Sequence, residues 1–481
     1  MTIANSVRGF PSASGEETRA LSWRDLLMVV GGIAIAVVVP PALLGVYVVL
    51  AIRCFIGPEQ LVQSLTLSWL LAFLIPGLTI APAGVGALKW IVLASAIAAI
   101  AASVARGKRA VPVGAAAALL FGLLLLFLSI PFSYFPTLSI LKAVAFSLGT
   151  AALLIAAVGC SRGWLQHWAM SLFFAVVLTS APVMFMPAGY FTNGWSFQGV
   201  LNHPQPFGVF LTPIVAWQSC RFFLEERASR STMIALVAGW TGIYLSNART
   251  ALISVLLGIT AVLLGGILSP RHSRRLAASA RRARTWVVLA LAGILVVTNF
   301  EVVKESTLDF ITKKQDNTFS SWETLTNSRA QLIELSYANF ASHPWTGIGL
   351  GVSSDLGIGQ SNQETFLGLP TSAPVEKGFI FSAVLEEIGL SGALALVIFL
   401  LAIALPVYRN GELELFALIV AALATNIGEF TLFSLNGVGM YVWIMTAVAY
   451  GASRQLSPKP KPMAVRRGAF VPTALDLRRI G

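Results

Sequence analysis

The sequence is poor in charged residues. Asp, Glu, Lys and Arg make up 11% of its 481 residues, whereas 56% are hydrophobic, and the mean hydropathy is +0.78. A soluble domain carries about a quarter charged residues, so this class is excluded. Apolar runs recur from near residue 25 to residue 451, and only helices satisfy their own backbone across a ~30 Å hydrocarbon core in this way. The sequence predicts an all-α, polytopic integral membrane protein with about 12–14 transmembrane helices.

The candidate spans are 25–40, 41–56, 60–80, 85–105, 111–130, 137–158, 164–184, 206–222, 232–246, 250–268, 285–300, 385–407, 413–431 and 434–451. The first two could form one helix that is kinked at Pro40-Pro41, because proline removes a backbone donor. We favour two short spans, because the basic segments then fall on one side of the membrane.

Cysteine is also scarce. Cys54, Cys160 and Cys220 are odd in number and far apart, which excludes a disulfide framework or a cysteine metal site. The sequence contains no phosphate-binding P-loop, zinc-ligand spacing or nucleophile elbow, which argues against an ATP-driven pump. We expect neither a cofactor nor a metal.

The net charge of +12 comes from basic residues dispersed among short loops and the tail. A topology signal and anionic lipid headgroups explain this pattern better than a nucleic-acid partner. The basic segments share one side only if an even number of spans precedes residue 106, which predicts that both termini are cytoplasmic. Residues 1–24 then form a leader without the pattern of a signal peptide, 25–452 a single membrane domain, and 453–481 a basic tail.

One connection is much longer than the others. The non-cytoplasmic loop at about 301–384 separates two spans, and long ordered connections are usually functional. Residues 328–341 have the apolar pattern of a helix, and the glycine-rich run 347–359 predicts a turn or a re-entrant crossing. A second helix is expected to begin at Pro374 and to continue through Glu386 and Glu387 into the span that follows.

Two arginines are candidates for binding an anion at the outer surface. Arg249 lies at a corner between two spans, where we expect a bound anion or a carboxylate partner, with a snorkelling arginine as the alternative. Arg329 begins the loop helix, where its forked guanidinium could bind a diphosphate or pair with Glu323 or Glu334.

Other polar residues could act as acids or bases. His203 could serve as a base or could stabilise a turn, and His343 could act directly or satisfy the last carbonyls of a helix. Glu376-Lys377 and Glu386-Glu387 flank one apolar stretch, where a carboxylate could activate a hydroxyl. A solvated or ion-paired surface helix is the alternative for these four residues.

Four blocks of the sequence resemble the O-antigen ligase and polymerase superfamily of bacterial envelope glycan enzymes. They are 197–204 (FQGVLNHP), 246–252 (SNARTAL), Ser328-Arg329 with 343–351 (HPWTGIGLG), and 385–392 (LEEIGLSG). The resemblance implies a multi-pass inner-membrane enzyme that transfers a glycan from an undecaprenyl-diphosphate carrier. The acceptor is lipid A core in ligases, another glycan in polymerases and a protein hydroxyl in some oligosaccharyltransferases.

The resemblance also implies roles for residues of this chain. The family arginines that are thought to bind the diphosphate correspond to Arg249 and Arg329. The substrate loop would include Asn202, His343, Gly347, Gly349, Gly351 and Glu387, with the glycines letting the backbone approach the saccharide. For the acceptor-activating base we favour Glu376, then His203, with Lys377 as a further candidate.

The chain departs from the family pattern at two places. Residues 374–379 contain no histidine, whereas many ligases have one there, and Ser196 stands where many members have an arginine. These departures favour a polymerase-like enzyme over a ligase for lipid A core or an oligosaccharyltransferase. Because the two arginines would stabilise the diphosphate, we expect the transfer to be metal-independent, and we expect it to be inverting. A flippase or transporter for the lipid-linked glycan is the alternative from another class, although such proteins usually show two related halves. A non-catalytic partner in a polysaccharide assembly complex remains a third possibility.

Overall fold

The computed structural model describes residues 22–75, 78, 85–191, 194–287, 290, 321–355, 365–366, 369–370, 377, 379–428, 430–435 and 437–454. The helices are α1 (Trp23–Val38), α2 (Leu43–Arg53), α3 (Pro58–Ala72), α4 (Val85–Ala105), α5 (Val113–Phe132), α6 (Pro136–Val158), α7 (Arg162–Val183), α8 (Pro204–Leu224), α9 (Arg230–Ser246), α10 (Arg249–Leu268), α11 (Pro270–Ala280), α12 (Ser321–Ser342), α13 (Ile380–Arg409), α14 (Leu413–Ala424) and α15 (Val438–Arg454). Short 3-10 turns cover Pro40–Ala42, Pro187–Gly189 and Thr425–Ile427. Two-residue strands, β1 (Thr365–Phe366) and β2 (Leu369–Pro370), pair antiparallel.

This architecture confirms the predicted all-α membrane fold. Within the described residues, seven helices are long and apolar enough to span a membrane, namely α4, α5, α6, α7, α8, α10 and α13. Serine side chains cap the starts of α1, α7 and α9 by accepting a backbone N–H in the first turn. The predicted span 285–300 lies almost wholly outside the described residues.

The first two helices run in opposite directions, and both contact α3. Gln63 of α3 donates to Asp25 at 2.9 Å and accepts from Arg53 at 2.8 Å. Asp25 lies near the start of α1, and Arg53 is the last residue of α2. The start of α1 and the end of α2 therefore lie at the same level beside α3. The chain reverses at Pro40–Ala42, and four helices precede residue 106. The division at Pro40-Pro41 therefore produces two short helices, and their role as two separate spans stays a prediction.

α15 lies at the centre of the molecule. Its residues from Gly439 to Ser453 are buried, and two of its aromatic side chains donate to backbone carbonyls. The Tyr441 hydroxyl donates to Phe210 at 2.7 Å, and the Trp443 indole donates to Leu432 at 2.7 Å. A buried aromatic residue is stable in an apolar interior when its polar group has such a partner.

The basic loops meet at one end of the helix bundle. Arg162 pairs with Glu412, and Arg275 pairs with Glu414, each at 2.7 Å. The side chain of Arg109 packs on Gly159, which brings the 106–109 segment beside the start of α7. The sequence analysis predicted that the basic segments share one side of the membrane, which requires them to meet at one end of the bundle. Which side of the membrane this end faces stays a prediction. We call it the basic end.

The large loop differs partly from expectation. The predicted helix over 328–341 is confirmed as part of α12, and residues 347–351 lie in turns. The prediction that the next helix begins at Pro374 is wrong, because Lys377 and Phe379 are not helical and α13 begins at Ile380. Residues 356–359 of the glycine-rich run lie outside the described residues.

Candidate functional site

Arg249 is the first residue of α10 and follows a sharp corner. Asn247 ends α9 in the left-handed region (φ 51°), which asparagine tolerates better than most residues. The Ser246 hydroxyl accepts the backbone N–H of Ala248 at 3.3 Å, which fixes the corner. This local geometry places the half-buried Arg249 at the positive end of a 20-residue helix.

The first sequence block packs against this corner. The N–H of Phe197 donates to the carbonyl of Leu245 at 2.9 Å, and the amide of Asn247 donates to the Ser196 hydroxyl at 3.5 Å. Gly208 in α8 faces Ala248 so closely that a Cβ would overlap its side chain. Ser196 is therefore a neighbour of the Arg249 corner.

His203 caps the start of α8. Its Nδ1 accepts the backbone N–H of Gln205 at 3.2 Å, and its ring contacts Phe191 edge to face at 4.6 Å. The preceding Asn202 is exposed, and its backbone N–H donates to Phe73 at the end of α3 at 2.8 Å. This geometry accounts for the turn-stabilising interpretation of His203, and its role as a base stays a prediction.

The third and fourth blocks form one interlocked backbone unit. α13 is broken at Gly389, whose φ of 63° and ψ of −172° are not helical. Before the break, the carbonyls of Glu386 and Glu387 accept the N–H groups of Ile348 and Gly349 at 2.8 and 3.1 Å. After the break, the N–H of Leu390 donates to Pro344 at 2.8 Å, and the Ser391 hydroxyl donates to Trp345 at 2.6 Å. The 344–349 segment thus satisfies backbone groups that the break leaves without helical partners.

Two glycines make this unit possible. A Cβ on Gly347 would lie 2.5 Å from the carbonyl carbon of Glu387, and a Cβ on Gly389 would overlap the backbone of Trp345. Gly349 faces Ser133 and Gly351 faces Lys142 in the same way. The close backbone approach that we expected towards a saccharide is, in this structure, an approach to other parts of the protein.

Glu386 is the central acceptor of the loop. Its carboxylate is fully buried and accepts from Lys377 and Asn339 at 2.7 Å each. The hydroxyls of Ser336 and Ser354 donate to the same group at 2.9 and 3.0 Å. These four donors come from α12, from the turn after Gly351 and from the segment before α13. Glu386 therefore joins three parts of the loop to one helix.

Glu387 has very different surroundings. It is 4% exposed, and its Oε1 lies 3.6 Å from the Lys377 ammonium. The backbone N–H of Gly351 donates to its carboxylate, and Lys142 of α6 interacts with it electrostatically. Its Oε2 is buried and accepts no hydrogen bond from any residue that the structure describes.

The remaining predicted residues are distributed as follows. His343 ends α12 with its Nδ1 2.9 Å from the Ser342 hydroxyl, and its ring contacts Tyr134 at 5.4 Å. Arg329 belongs to α12, but its side chain is outside the described part of the chain. Glu376 lies outside the described residues altogether.

The sequence analysis missed Lys142, although the signal was present. A lysine in an otherwise apolar span is costly and is a functional candidate for that reason alone. The donors Ser336, Asn339 and Ser354 carried no comparable signal, because serine and asparagine are ordinary residues in a polar loop. Within the described residues, no group of three or more His, Cys, Asp or Glu could hold a metal ion.

Residues 234–383 match a family model described as O-antigen ligase. The matched region includes the Arg249 corner and the 343–351 block, while the blocks at 197–204 and 385–392 flank it. No curated protein matches the chain. The match confirms the resemblance, because residues 234–383 are similar to the family that this model describes.

Proposed function

We propose that this protein transfers a glycan from undecaprenyl diphosphate to an acceptor hydroxyl, as a polymerase-like enzyme of the bacterial inner membrane. The family match supports glycan transfer of the ligase or polymerase kind in general. The observation that carries the finer proposal is the position of Arg249 relative to the basic end. α10 has 20 residues and is about 30 Å long, and α11, which follows it, contacts the basic end. Arg249 therefore lies about one membrane thickness from the basic loops, at what we take to be the periplasmic surface.

The Gly389 break lies at the same end as Arg249. About 20 residues of α13 follow it, and Tyr408 near the end of α13 donates to Gly265 near the end of α10 at 2.7 Å. Both helices therefore end at the basic end, and each extends about one membrane thickness away from it. The Arg249 corner and the interlocked unit are available to the same lipid-linked substrate at one membrane surface.

In the proposed reaction, Arg249 and Arg329 bind the diphosphate of the donor. The acceptor oxygen attacks C1 of the donor sugar with inversion, the C1–O bond to the diphosphate breaks, and the diphosphate leaves with the bonding electrons. Negative charge grows on the leaving group during this step, so fixed guanidinium groups stabilise the transition state more than the ground state. The helix dipole at the start of α10 adds to this stabilisation.

The candidate bases differ in what their surroundings allow. The Nδ1 of His203 is used as a helix cap, and the ammonium group of Lys377 is bound to Glu386. Glu376 remains a candidate from the sequence alone. A polymerase-like acceptor is favoured over lipid A core because residues 374–379 contain no histidine.

The test compares Arg249→Ala with Arg230→Ala in a strain that lacks the protein. Arg230 is the first residue of α9, as Arg249 is of α10, but it lies at the opposite end of the bundle and is exposed. We expect Arg249→Ala to reduce transfer by at least about 100-fold without loss of membrane insertion. Arg230→Ala should complement fully.

Glycan size analysis of the same strains separates the acceptor classes. Single-repeat glycans without the protein indicate a polymerase, and long chains left on the lipid carrier indicate a ligase. Unchanged glycans in both the deletion strain and Arg249→Ala would contradict the enzyme assignment.

A further inference from the structure

Two adjacent carboxylates near the start of α13 differ in their hydrogen bonds. Glu386 accepts from four donors, so both of its oxygens are hydrogen-bonded and its role is to hold the loop. Glu387 is almost as deeply buried, yet its Oε2 accepts no hydrogen bond within the described part of the chain. Neighbouring carboxyl groups in such unequal surroundings are a common basis for dividing structural and chemical roles.

The Oε2 of Glu387 is costly to leave without a donor. A buried acceptor that loses its water and gains no partner carries the full desolvation penalty, and the penalty is larger for a charged group. The interlocked unit fixes the backbone that carries this side chain, because the carbonyl of Glu387 accepts the N–H of Gly349 at 3.1 Å. The arrangement suits a ligand hydroxyl, which is a hydrogen-bond donor when it binds and a proton donor when it reacts.

We propose that Glu387 binds the acceptor hydroxyl and takes its proton during transfer, an inference that rests on the proposed function. The acceptor O–H bond breaks as its oxygen forms the bond to C1, the proton moves to Oε2 of Glu387, and the diphosphate leaves with the electrons of the broken C1–O bond. Hydrogen bonds of this kind tighten only in the complex with substrate. Glu387 thus supplies the base that the family histidine provides in many ligases.

The charged neighbours of Glu387 fit this role. Lys377 precedes α13, Lys142 approaches from α6, and Glu386 is adjacent on α13, so two ammonium groups face two carboxylates. His343 and Asp355 belong to the segment between α12 and α13, and the ring of His343 faces Tyr134. When all four groups are ionised, their charges sum to zero before the reaction. Proton transfer leaves the group positively charged, at the end of the bundle where the diphosphate becomes more negative.

The experiment uses full-length protein reconstituted in lipid vesicles and the lipid-linked glycan that accumulates in cells lacking it. Glu387→Gln is compared with Glu386→Gln, which is the adjacent buried carboxylate with the structural role. We expect Glu387→Gln to bind the donor normally but to reduce transfer per folded molecule by about 10²–10⁴-fold. Its residual activity should lose the acidic limb of the wild-type pH profile. Glu386→Gln should instead lower the folded fraction and should keep the acidic limb.

Glu387→Asp keeps a carboxylate and decides the question if the glutamine variant does not fold. It should be slower than wild type and retain the acidic limb. Transfer by Glu387→Gln within about twofold of wild type, or a transfer rate and pH profile unchanged in Glu387→Asp, would overturn the assignment of Glu387. These results leave the proposed function intact as long as wild type transfers glycan and Arg249→Ala does not. No transfer by wild type, or full transfer by Arg249→Ala, would instead contradict the proposed function.

Discussion

Asn339 donates its amide hydrogens to two acceptors of the loop, the carboxylate of Glu386 at 2.7 Å and the carbonyl of Ser354 at 2.9 Å. Replacement by alanine removes one hydrogen-bond donor from the Glu386 carboxylate and one from the Ser354 carbonyl. Water is largely excluded from this region and cannot readily replace them. We expect Asn339→Ala to reduce the free energy of unfolding by about 2–3 kcal/mol.

The matched control is Ser342→Ala, three residues along α12. Ser342 is exposed, and its hydroxyl bonds only to the carbonyl of Asn339 in its own helix and to the adjacent ring of His343. Thermal unfolding of both variants in detergent should show an apparent Tm several degrees lower for Asn339→Ala and nearly unchanged for Ser342→Ala. Equal Tm values would show that Glu386 does not depend on this donor.

The sequence could identify candidate functional residues only where the residue type is unusual for its location. Arg249 was conspicuous because it is charged beside two apolar spans, and Lys142 should have been conspicuous for the same reason. The different roles of Glu386 and Glu387 could not be predicted, because they depend on which donors reach each carboxylate. Those donors come from segments that are 9 to 50 residues away in sequence.

At the scale of elements, Gly389 makes the break in α13 possible. Its φ of 63° and ψ of −172° lie in a region that only glycine occupies readily. A methyl group would also overlap the backbone of Trp345, which cannot move without breaking the hydrogen bonds of the interlock. We expect Gly389→Ala to destabilise the protein by about 2–5 kcal/mol from strain and overlap together.

Gly45→Ala provides the control for this prediction. Gly45 lies inside α2 with open space where the methyl group would go, so the substitution should be neutral or slightly stabilising. The stability of both variants is assessed by the yield of monodisperse protein from size-exclusion chromatography in detergent. A normal yield and Tm for Gly389→Ala would mean that the interlock tolerates a different backbone path.

Helices that cross the apolar core were the easiest elements to predict. The expected spans 85–105 and 137–158 correspond to α4 (Val85–Ala105) and α6 (Pro136–Val158), because hydropathy alone sets their ends. α11 was not predicted, since it is rich in arginine and has no long apolar run. The start of α13 was placed too early because local periodicity carries no information about the pairing of 344–349 with 386–391.

At the scale of the whole molecule, the two ends of the bundle have different character. The basic end is held by ion pairs between neighbouring loops, whereas the opposite end has the Arg249 corner, the His203 cap and the interlocked unit. Such a division is expected of a membrane protein whose topology is set by positive charge on the cytoplasmic side and whose chemistry occurs on the other side. The proposed function requires this orientation, because a periplasmic acceptor must reach the Arg249 end.

Accessibility of single cysteines tests the orientation directly. The native Cys54, Cys160 and Cys220 are buried and can be replaced by alanine to give a background without thiols. Phe185→Cys lies just beyond α7 at the Arg249 end, where the native side chain is 88% exposed, and Lys108→Cys lies in an exposed turn at the basic end. A membrane-impermeant maleimide should label Phe185→Cys in intact spheroplasts, and should label Lys108→Cys only after the membrane is opened. The reverse pattern would place Arg249 and Glu387 in the cytoplasm, and a periplasmic glycan transfer at this site would then be impossible.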